Sequence, residues 1–291
     1  MSTFTDYKGK ASTEYDKTRK PIGIEIFQAT LSQYCTTKFE NQRVLALGAG
    51  TGTYEIELLK NGCGSMVVTD PSEVMLAQCE SKLVSAGFSN KISFNQSSLP
   101  KIPFEDASFD SATSNMVMQH IVQTDASTGL NGAIPIVTDW SNISNTMKEV
   151  YRVLKPGGVF VVGYSTHEQR SANWYAKLIP DENRRKIVAR FPSRERLLKC
   201  VEGSGLQLAT EYAILQGMQG YQLYNDPNFV DHPGFWFTDS VLSGCPQDGI
   251  DSAKAKVKML KSQWKLADWI KENDDVPRIG CGTIVVLKKP M

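Results

Sequence analysis

Three glycines at alternate positions and one acid downstream are the residues of this chain whose types and spacing suggest chemistry most clearly. Gly48, Gly50 and Gly52 follow the apolar run 44–47, and Asp70 closes a second apolar run about 20 residues later. Glycine has no Cβ and tolerates positive φ, so such a turn lets the backbone approach a bulky ligand closely. A carboxylate at Asp70 offers two acceptor oxygens to the hydroxyls of a ribose, or it caps the helix that follows.

The spacing of the glycines distinguishes between known nucleotide-binding turns. A dinucleotide fingerprint has the pattern Gly-x-Gly-x-x-Gly and requires a glycine where this chain has Thr53. A phosphate-binding P-loop requires Lys and then Ser or Thr after its last glycine, and here Thr53 and Tyr54 follow Gly52. The turn therefore predicts a ligand site of another kind.

The elements that position this turn follow from the apolar pattern around it. The run 44–47 is typical of a strand that is buried on both faces in a parallel sheet, and residues 54–60 favour a helix directly after the glycines. A second predicted strand, 66–70, ends at Asp70. Further along, Pro156 and the two following glycines end a helix and reverse the chain into another strand.

Five blocks in this order over residues 44–162 resemble the class I S-adenosylmethionine (SAM)-dependent methyltransferases. The blocks are the glycine turn 48–52, the acid at Asp70, the segment 92–110 with its Ile-Pro-Phe-Glu-Asp-Ala-Ser-Phe-Asp ending, the strand and exit 111–121, and Leu-Lys-Pro-Gly-Gly at 154–158. The resemblance implies an α/β fold with a Rossmann-like doubly wound sheet, mostly parallel with an antiparallel last strand. Strands near 206–215 and 282–287 resemble the closing hairpin of that family.

The cofactor that the resemblance implies is SAM. In the family the glycine turn wraps its methionine part, and the acid at the position of Asp70 takes the ribose. Leu99 is a candidate for packing on the adenine, or else it belongs to the ordinary core. Tyr15 and Arg19 belong to a Tyr-Asp-x-x-Arg-x-Pro segment that covers the cofactor in similar enzymes. The residues that the resemblance assigns to cofactor binding are Tyr15, Arg19, Gly48, Ala49, Gly50, Thr51, Gly52, Asp70, Pro71, Ser97, Ser98, Leu99 and Asn115.

Two positions depart from the family pattern. The family often has an acid where this chain has Ala46, and it usually has an acid, which accepts from the adenine amino group, where this chain has Ser98. Glu55 and Asp70 are the remaining acids near the turn. These departures leave open an alternative, namely a methyltransferase-like protein that binds SAM or a metabolite without transferring a methyl group.

Composition and charge narrow the class of partner. The 291 residues carry 32 basic and 31 acidic side chains, a net charge of +1, which gives no electrostatic footprint for nucleic acid. No run of 18 apolar residues predicts a membrane span, and the six scattered cysteines are typical of free thiols. We expect a cytoplasmic protein, monomer or homodimer, that acts on a small molecule without a metal.

The domain organisation predicted from the sequence has three parts. Residues 1–40 form an N-terminal helical cap, and residues 41–215 with 282–291 form the SAM-binding domain. Residues 216–281 form an α-rich, aromatic insert that we interpret as a substrate lid, or else as a small helical unit with its own core. A long, loop-like stretch near 128–135 leaves the carboxyl end of a central strand, where open α/β sheets bind ligands.

The chemistry implied by the resemblance is methyl transfer to a small, partly apolar or aromatic molecule, on oxygen or nitrogen. Histidine suits the removal of a proton near neutral pH, and the candidates are His120 and His167, with His232 in the insert. Each could instead pack or orient a loop. The candidates for substrate contact are Gln119, Phe235 and Trp236.

Overall fold

Nine strands and the helices between them position the site. The structure is a computed structural model that describes residues 15–18, 20–125, 134–215, 226–232 and 234–291, so Arg19 and residues 128–133 lie outside the described residues. The strands are β1 (Arg43–Leu47), β2 (Ser65–Asp70), β3 (Ile92–Gln96), β4 (Phe109–Asn115), β5 (Gln123–Thr124), β6 (Val137–Asp139), β7 (Leu154–Tyr164), β8 (Gln207–Ile214) and β9 (Gly282–Lys288).

The helices alternate with these strands as far as β8 and then dominate the insert. They are α1 (Ile24–Tyr34), α2 (Thr53–Lys60), α3 (Glu73–Ser85), α4 (Met118–Ile121), α5 (Ser141–Val153), α6 (His167–Ala172), α7 (Asp181–Val188), α8 (Arg194–Val201), α9 (Phe235–Thr238), α10 (Gln247–Ser262), α11 (Leu266–Asn273) and α12 (Val276–Ile279). Within the described ranges, no helix has both the length and the hydropathy needed to cross a membrane.

A seven-stranded sheet with the order β3-β2-β1-β4-β7-β9-β8 organises the chain. Strands β3, β2, β1, β4 and β7 pair in parallel, whereas β9 pairs antiparallel with both β7 and β8. The order reverses between β1 and β4, and such a switch point opens a crevice at the carboxyl ends of the strands. The Rossmann-like sheet with an antiparallel last strand, predicted from the sequence, is confirmed.

Both faces of the sheet are covered, which explains why β1 is apolar from Val44 to Leu47. Along β1, Leu45 and Leu47 pack into one layer with α5 and α8, while Val44 and Ala46 pack into the opposite layer with α1, α2 and α3. Side chains alternate between the faces of a strand, so a strand between two helical layers carries no polar face.

The insert shares a hydrophobic core with the segment that follows β7. Trp174, buried in a short 3₁₀ helix at Trp174–Leu178, stacks on Phe235 of α9 with ring centroids 5.7 Å apart. Residues of α7, α10 and α11 complete this core. The insert is therefore anchored to the main domain, and its role as a lid stays a prediction.

Asp110 ties the amino ends of the central strands together. One carboxylate oxygen accepts from the Arg43 backbone N–H at 2.8 Å, and the other accepts from Thr37 Oγ1 and Lys155 Nζ, each at 2.9 Å. Burial raises the pKa of the Asp110 carboxyl, but these donors outweigh it and hold the pKa below its ordinary value. Asp110 thus stabilises the fold at the end of the sheet opposite the crevice.

We expect Asp110→Asn to lower the free energy of unfolding by about 2 kcal/mol, because it removes charge-assisted hydrogen bonds. The pKa of Asp110 is lower in the folded protein than in the unfolded chain, where it is about 4. The stabilisation by Asp110 is therefore complete above pH 4 and is lost as the pH falls through the pKa of the folded state. Urea unfolding at pH 7 and pH 3 measures it, with Glu80→Gln, an exposed acid, as the control. An equal loss for both variants at pH 7 would refute this role.

Candidate active site

A cleft opens at the carboxyl ends of the central strands, on both sides of the switch point. Its walls come from the turn after β1, the end of β2, the exit of β4 and the residues after β7, with further residues from the N-terminal segment and the insert. Of the predicted cofactor residues that the structure describes, those that line it are Tyr15, Gly48, Ala49, Gly50, Asp70, Pro71, Ser97, Ser98, Leu99 and Asn115.

The glycine turn is shaped for close approach of a ligand. Gly50 has φ +57°, and a Cβ built on it meets no protein atom within 4 Å, so that side of the turn faces the open cleft. Gly52 has φ +77°, and a Cβ there would lie 2.4 Å from Cys79 Sγ on α3. Gly50 keeps the cleft open, while Gly52 allows α2 to pack closely against α3.

Asp70 fixes this turn from the neighbouring strand. Its Oδ2 accepts from the Gly50 backbone N–H and its Oδ1 from the Ser72 N–H, both at 2.9 Å. The N-cap of α3 is Ser72, whose Oγ accepts from the Met75 N–H, so Asp70 is not the capping residue. Burial raises the pKa of the Asp70 carboxyl above its ordinary value against the opposing effect of both N–H donors. Each oxygen keeps a second acceptor position for a ribose hydroxyl.

The N-terminal segment crosses one side of the cleft. Tyr15 lines it, and Asp16 next to it accepts from Thr51 Oγ1 at 2.5 Å and pairs with Lys82 of α3 at 2.6 Å. Thr18 Oγ1 donates a hydrogen bond to Thr238 Oγ1 of the insert at 2.8 Å. Thr51 is buried beneath this segment rather than at the cleft, so it holds the segment in place.

His120 and Gln119, in the short helix α4 after β4, lie at the other end of the cleft. The Gln119 side-chain amide donates to the Met116 carbonyl at 2.6 Å, which fixes the amide nitrogen on that side. The same nitrogen lies 2.8 Å from His120 Nε2, so Nε2 accepts this hydrogen bond and the ring proton belongs on Nδ1. Burial and the nearby charges of Arg190 and Arg170 hold the pKa of His120 well below its ordinary value, so the imidazole is neutral.

A buried ion pair lies beyond His120. Arg170 of α6 donates from Nη2 to Asp239 Oδ2 at 2.6 Å, and both side chains are less than a tenth exposed. Both line the cleft together with Asn173 and Tyr175. These residues were not predicted from the sequence. The capping box Thr166–Gln169, which fixes the start of α6 directly after β7, can nevertheless be recognised in the sequence.

Several predicted residues do not reach the cleft as the described residues form it. His167 is 42% exposed and pairs with its neighbour Glu168. Phe235 lies in the insert core against Trp174, and Trp236 packs beside it with Nε1 donating to the Val230 carbonyl at 3.1 Å. The described contacts of both aromatics lie in this core, and their contact with a substrate stays a prediction. His232 is also absent from the residues that line the cleft.

Comparison with known proteins agrees with this geometry. A methyltransferase domain family model matches residues 45–162. The ubiquinone/menaquinone biosynthesis C-methyltransferase UbiE of Geotalea daltonii is 32% identical over 129 residues, which are 43% of this chain and 47% of that protein. The chain thus matches about half the length of this curated relative.

Two solved structures share the fold. A protein assigned as a methyltransferase of an antibiotic biosynthesis pathway in Anabaena variabilis superposes with a TM-score of 0.68 at 14% identity, over 93% of this chain and 98% of its own. Phosphoethanolamine N-methyltransferase 2 of Haemonchus contortus, in complex with SAM, gives 0.60 at 16% identity, over 99% of this chain and 59% of its own.

Residues 45–162 therefore match the methyltransferase domain family, in agreement with the resemblance of the sequence motifs to SAM-dependent methyltransferases. SAM is the cofactor of this class, and the residues present fit it. The turn at Gly50 leaves room beside the backbone, Asp70 has acceptors for a ribose, and Leu99 provides an apolar wall.

We expect Gly50→Ala to weaken SAM binding far more than it weakens the fold. The new Cβ projects into the cleft without touching protein, and the positive φ adds only about 1–2 kcal/mol of strain. Gly62→Ala is the matched control, because Gly62 also has positive φ and open space around its Cβ but does not line the cleft. Calorimetric titration and thermal unfolding of both variants separate the two effects, and equal SAM affinities would contradict the assignment.

We also expect the His120 imidazole to remain neutral with its proton on Nδ1 from pH 8 down to pH 6. Burial and two guanidinium groups disfavour the charged ring, and the Gln119 amide occupies Nε2. NMR of ¹⁵N-labelled histidine measures both the tautomer and the titration, with Gln119→Leu as the variant that releases the tautomer. A midpoint near 6.5, or a proton on Nε2, would contradict this geometry.

Proposed function

We propose that the whole chain is a SAM-dependent methyltransferase that acts on a small, partly apolar or aromatic molecule. The observation that carries the proposal is the continuity of the cleft, whose lining extends from Gly50 and Asp70 to His120 and Arg170. A cofactor on the glycine turn and a substrate beside His120 would occupy the same cleft. A concave site of this kind favours a small molecule over a macromolecular surface.

SAM, when bound, supplies a sulfonium methyl group for in-line displacement by a nucleophile, and the protein contributes mainly placement and electrostatics. The cleft lining includes the apolar side chains of Ile22, Met116 and Ile214, which favour an apolar part of the substrate. Its polar groups include the Arg170–Asp239 pair, Asn173 and residues of α4, and these would orient a polar substituent of the substrate.

The protonation state of His120 indicates which kind of substrate suits the part of the cleft beside it. A neutral imidazole with its proton on Nδ1 donates a hydrogen bond, while the nearby charge of Arg170 is paired with Asp239. A preorganised donor stabilises an ionised oxygen, as in a phenolate or an enolate. Methylation would then occur on that oxygen or on the carbon it activates. The name of the UbiE relative, a C-methyltransferase, supports the carbon as a site, whereas the sequence alone favours oxygen or nitrogen.

A second candidate function rests on the two departures from the family pattern. Ala46 and Ser98 remove two acids that usually support the cofactor, so a protein that binds SAM or a metabolite without methyl transfer is the alternative.

Incubation of the protein with methyl-labelled SAM and a small-molecule extract distinguishes these functions. We expect label in a small, acidic, partly apolar product, less label with Gly50→Ala, and undiminished label with Gly62→Ala. SAM binding without any labelled product would favour the alternative, and the absence of SAM binding would overturn both.

A further inference from the structure

Glu55 is a buried acid that lines the cleft. It lies in the first turn of α2, directly after the glycine turn, and it lines the cleft although the residue is only 5% exposed. Its Oε2 is buried and has no hydrogen-bond partner among the described residues. A buried carboxyl group without a partner is costly unless it is protonated or meets a ligand.

The groups around Glu55 do not neutralise it. Lys82 of α3 is the nearby cation, but its ammonium group pairs with Asp16 at 2.6 Å. Asp70 of β2 adds negative charge, and the Cys79 thiol of α3 lies close by. Burial raises the pKa of Glu55 to about 7, against the lowering effect of its own backbone N–H, Lys82 and the Tyr54 N–H. The carboxyl is thus close to half protonated at neutral pH.

Position 46 contributes no acid on this side of the sheet. Ala46 is fully buried on the face of β1 that packs against α1, α2 and α3, so the end of β1 contributes no charge there. Glu55 belongs to α2 in the same layer and reaches the same cleft. The two residues therefore lie on one side of the glycine turn, with the acid moved from the strand to the helix.

We infer that Glu55 accepts a hydrogen bond from the α-ammonium group of the methionine part of SAM and supplies the negative charge that Ala46 cannot. The inference rests on the proposed function, because it requires SAM in this cleft. Glu55 lines the cleft beside the turn, its Oε2 has no hydrogen-bond partner among the described residues, and the nearby cation Lys82 is paired with Asp16. An ammonium group would supply a donor for that oxygen.

Binding then couples to protonation. A cationic partner favours the carboxylate, so the pKa of Glu55 falls below about 7 when the cofactor binds, and a proton is released. Affinity should therefore increase between pH 5.5 and 7.5. In the free protein the sign is opposite, because an acid whose folded pKa is raised loses stability as the pH rises through that value. Glu55 should thus favour binding while it disfavours the unliganded fold above pH 7.

Glu55→Gln tests the assignment with two ligands that differ at the amino acid end. S-Adenosylhomocysteine carries the ammonium group, whereas 5′-methylthioadenosine keeps the adenosine but lacks it. We expect the variant to bind S-adenosylhomocysteine about 10- to 100-fold more weakly, the range for loss of a charge-assisted hydrogen bond, and 5′-methylthioadenosine equally well. Equal weakening of both ligands, or of neither, would overturn the inference.

Proton release and stability provide independent readouts. Calorimetry of the unmodified protein at pH 7, in two buffers of different ionisation enthalpy, should show a proton released with S-adenosylhomocysteine that Glu55→Gln does not release. The unliganded variant should unfold at the same or a higher temperature at pH 8.

If Glu55→Gln fails to fold, the buffer experiment on the unmodified protein decides, and binding without proton release would refute the inference. Failure of the unmodified protein to bind either SAM or its demethylated product would instead refute the proposed function.

Discussion

The hydrogen bonds of Asp70 are the interaction on which the cleft depends. One carboxylate joins the turn after β1, through the Gly50 N–H, to the start of α3, through the Ser72 N–H. Hydrogen bonds to a charged group contribute about 1.5–3 kcal/mol each. The glycine turn is consequently held in its shape by the protein itself, and the residue that fixes it also lines the cleft. A preformed turn reduces the ordering cost of binding.

The charges of the cleft differ between its two ends. Two buried carboxyl groups, Glu55 and Asp70, lie beside the glycine turn, and the pKa of each is raised by burial. At the other end Arg170, which is paired with Asp239, and Arg190 lie near a neutral His120. A cationic cofactor suits the acidic end.

The sequence was sufficient for the sheet and for the cofactor side of the cleft because the signals there are local. An apolar strand, alternate glycines and an acid at the end of the next strand lie within 30 residues, and parallel pairing brings them to one edge.

The substrate side depends on distant pairs. Arg170 and Asp239 are 69 positions apart, and nothing in either neighbourhood identifies the other. Phe235 and Trp236 illustrate the same limit, since adjacent aromatics do not reveal which of them a neighbouring unit will bury. Ser72 took the capping role that was open to Asp70, because its hydroxyl lies one position before the helix.

The central claim is that one cleft holds SAM against Asp70 and Glu55 and leaves the His120 end for the acceptor. A crystal structure of the protein with S-adenosylhomocysteine tests it most directly. The account predicts ribose hydroxyls within hydrogen-bond distance of the Asp70 carboxylate, the ammonium group at Glu55, and the sulfur facing the space beside His120. A nucleoside bound elsewhere, or a sulfur that faces away from His120, would contradict the account.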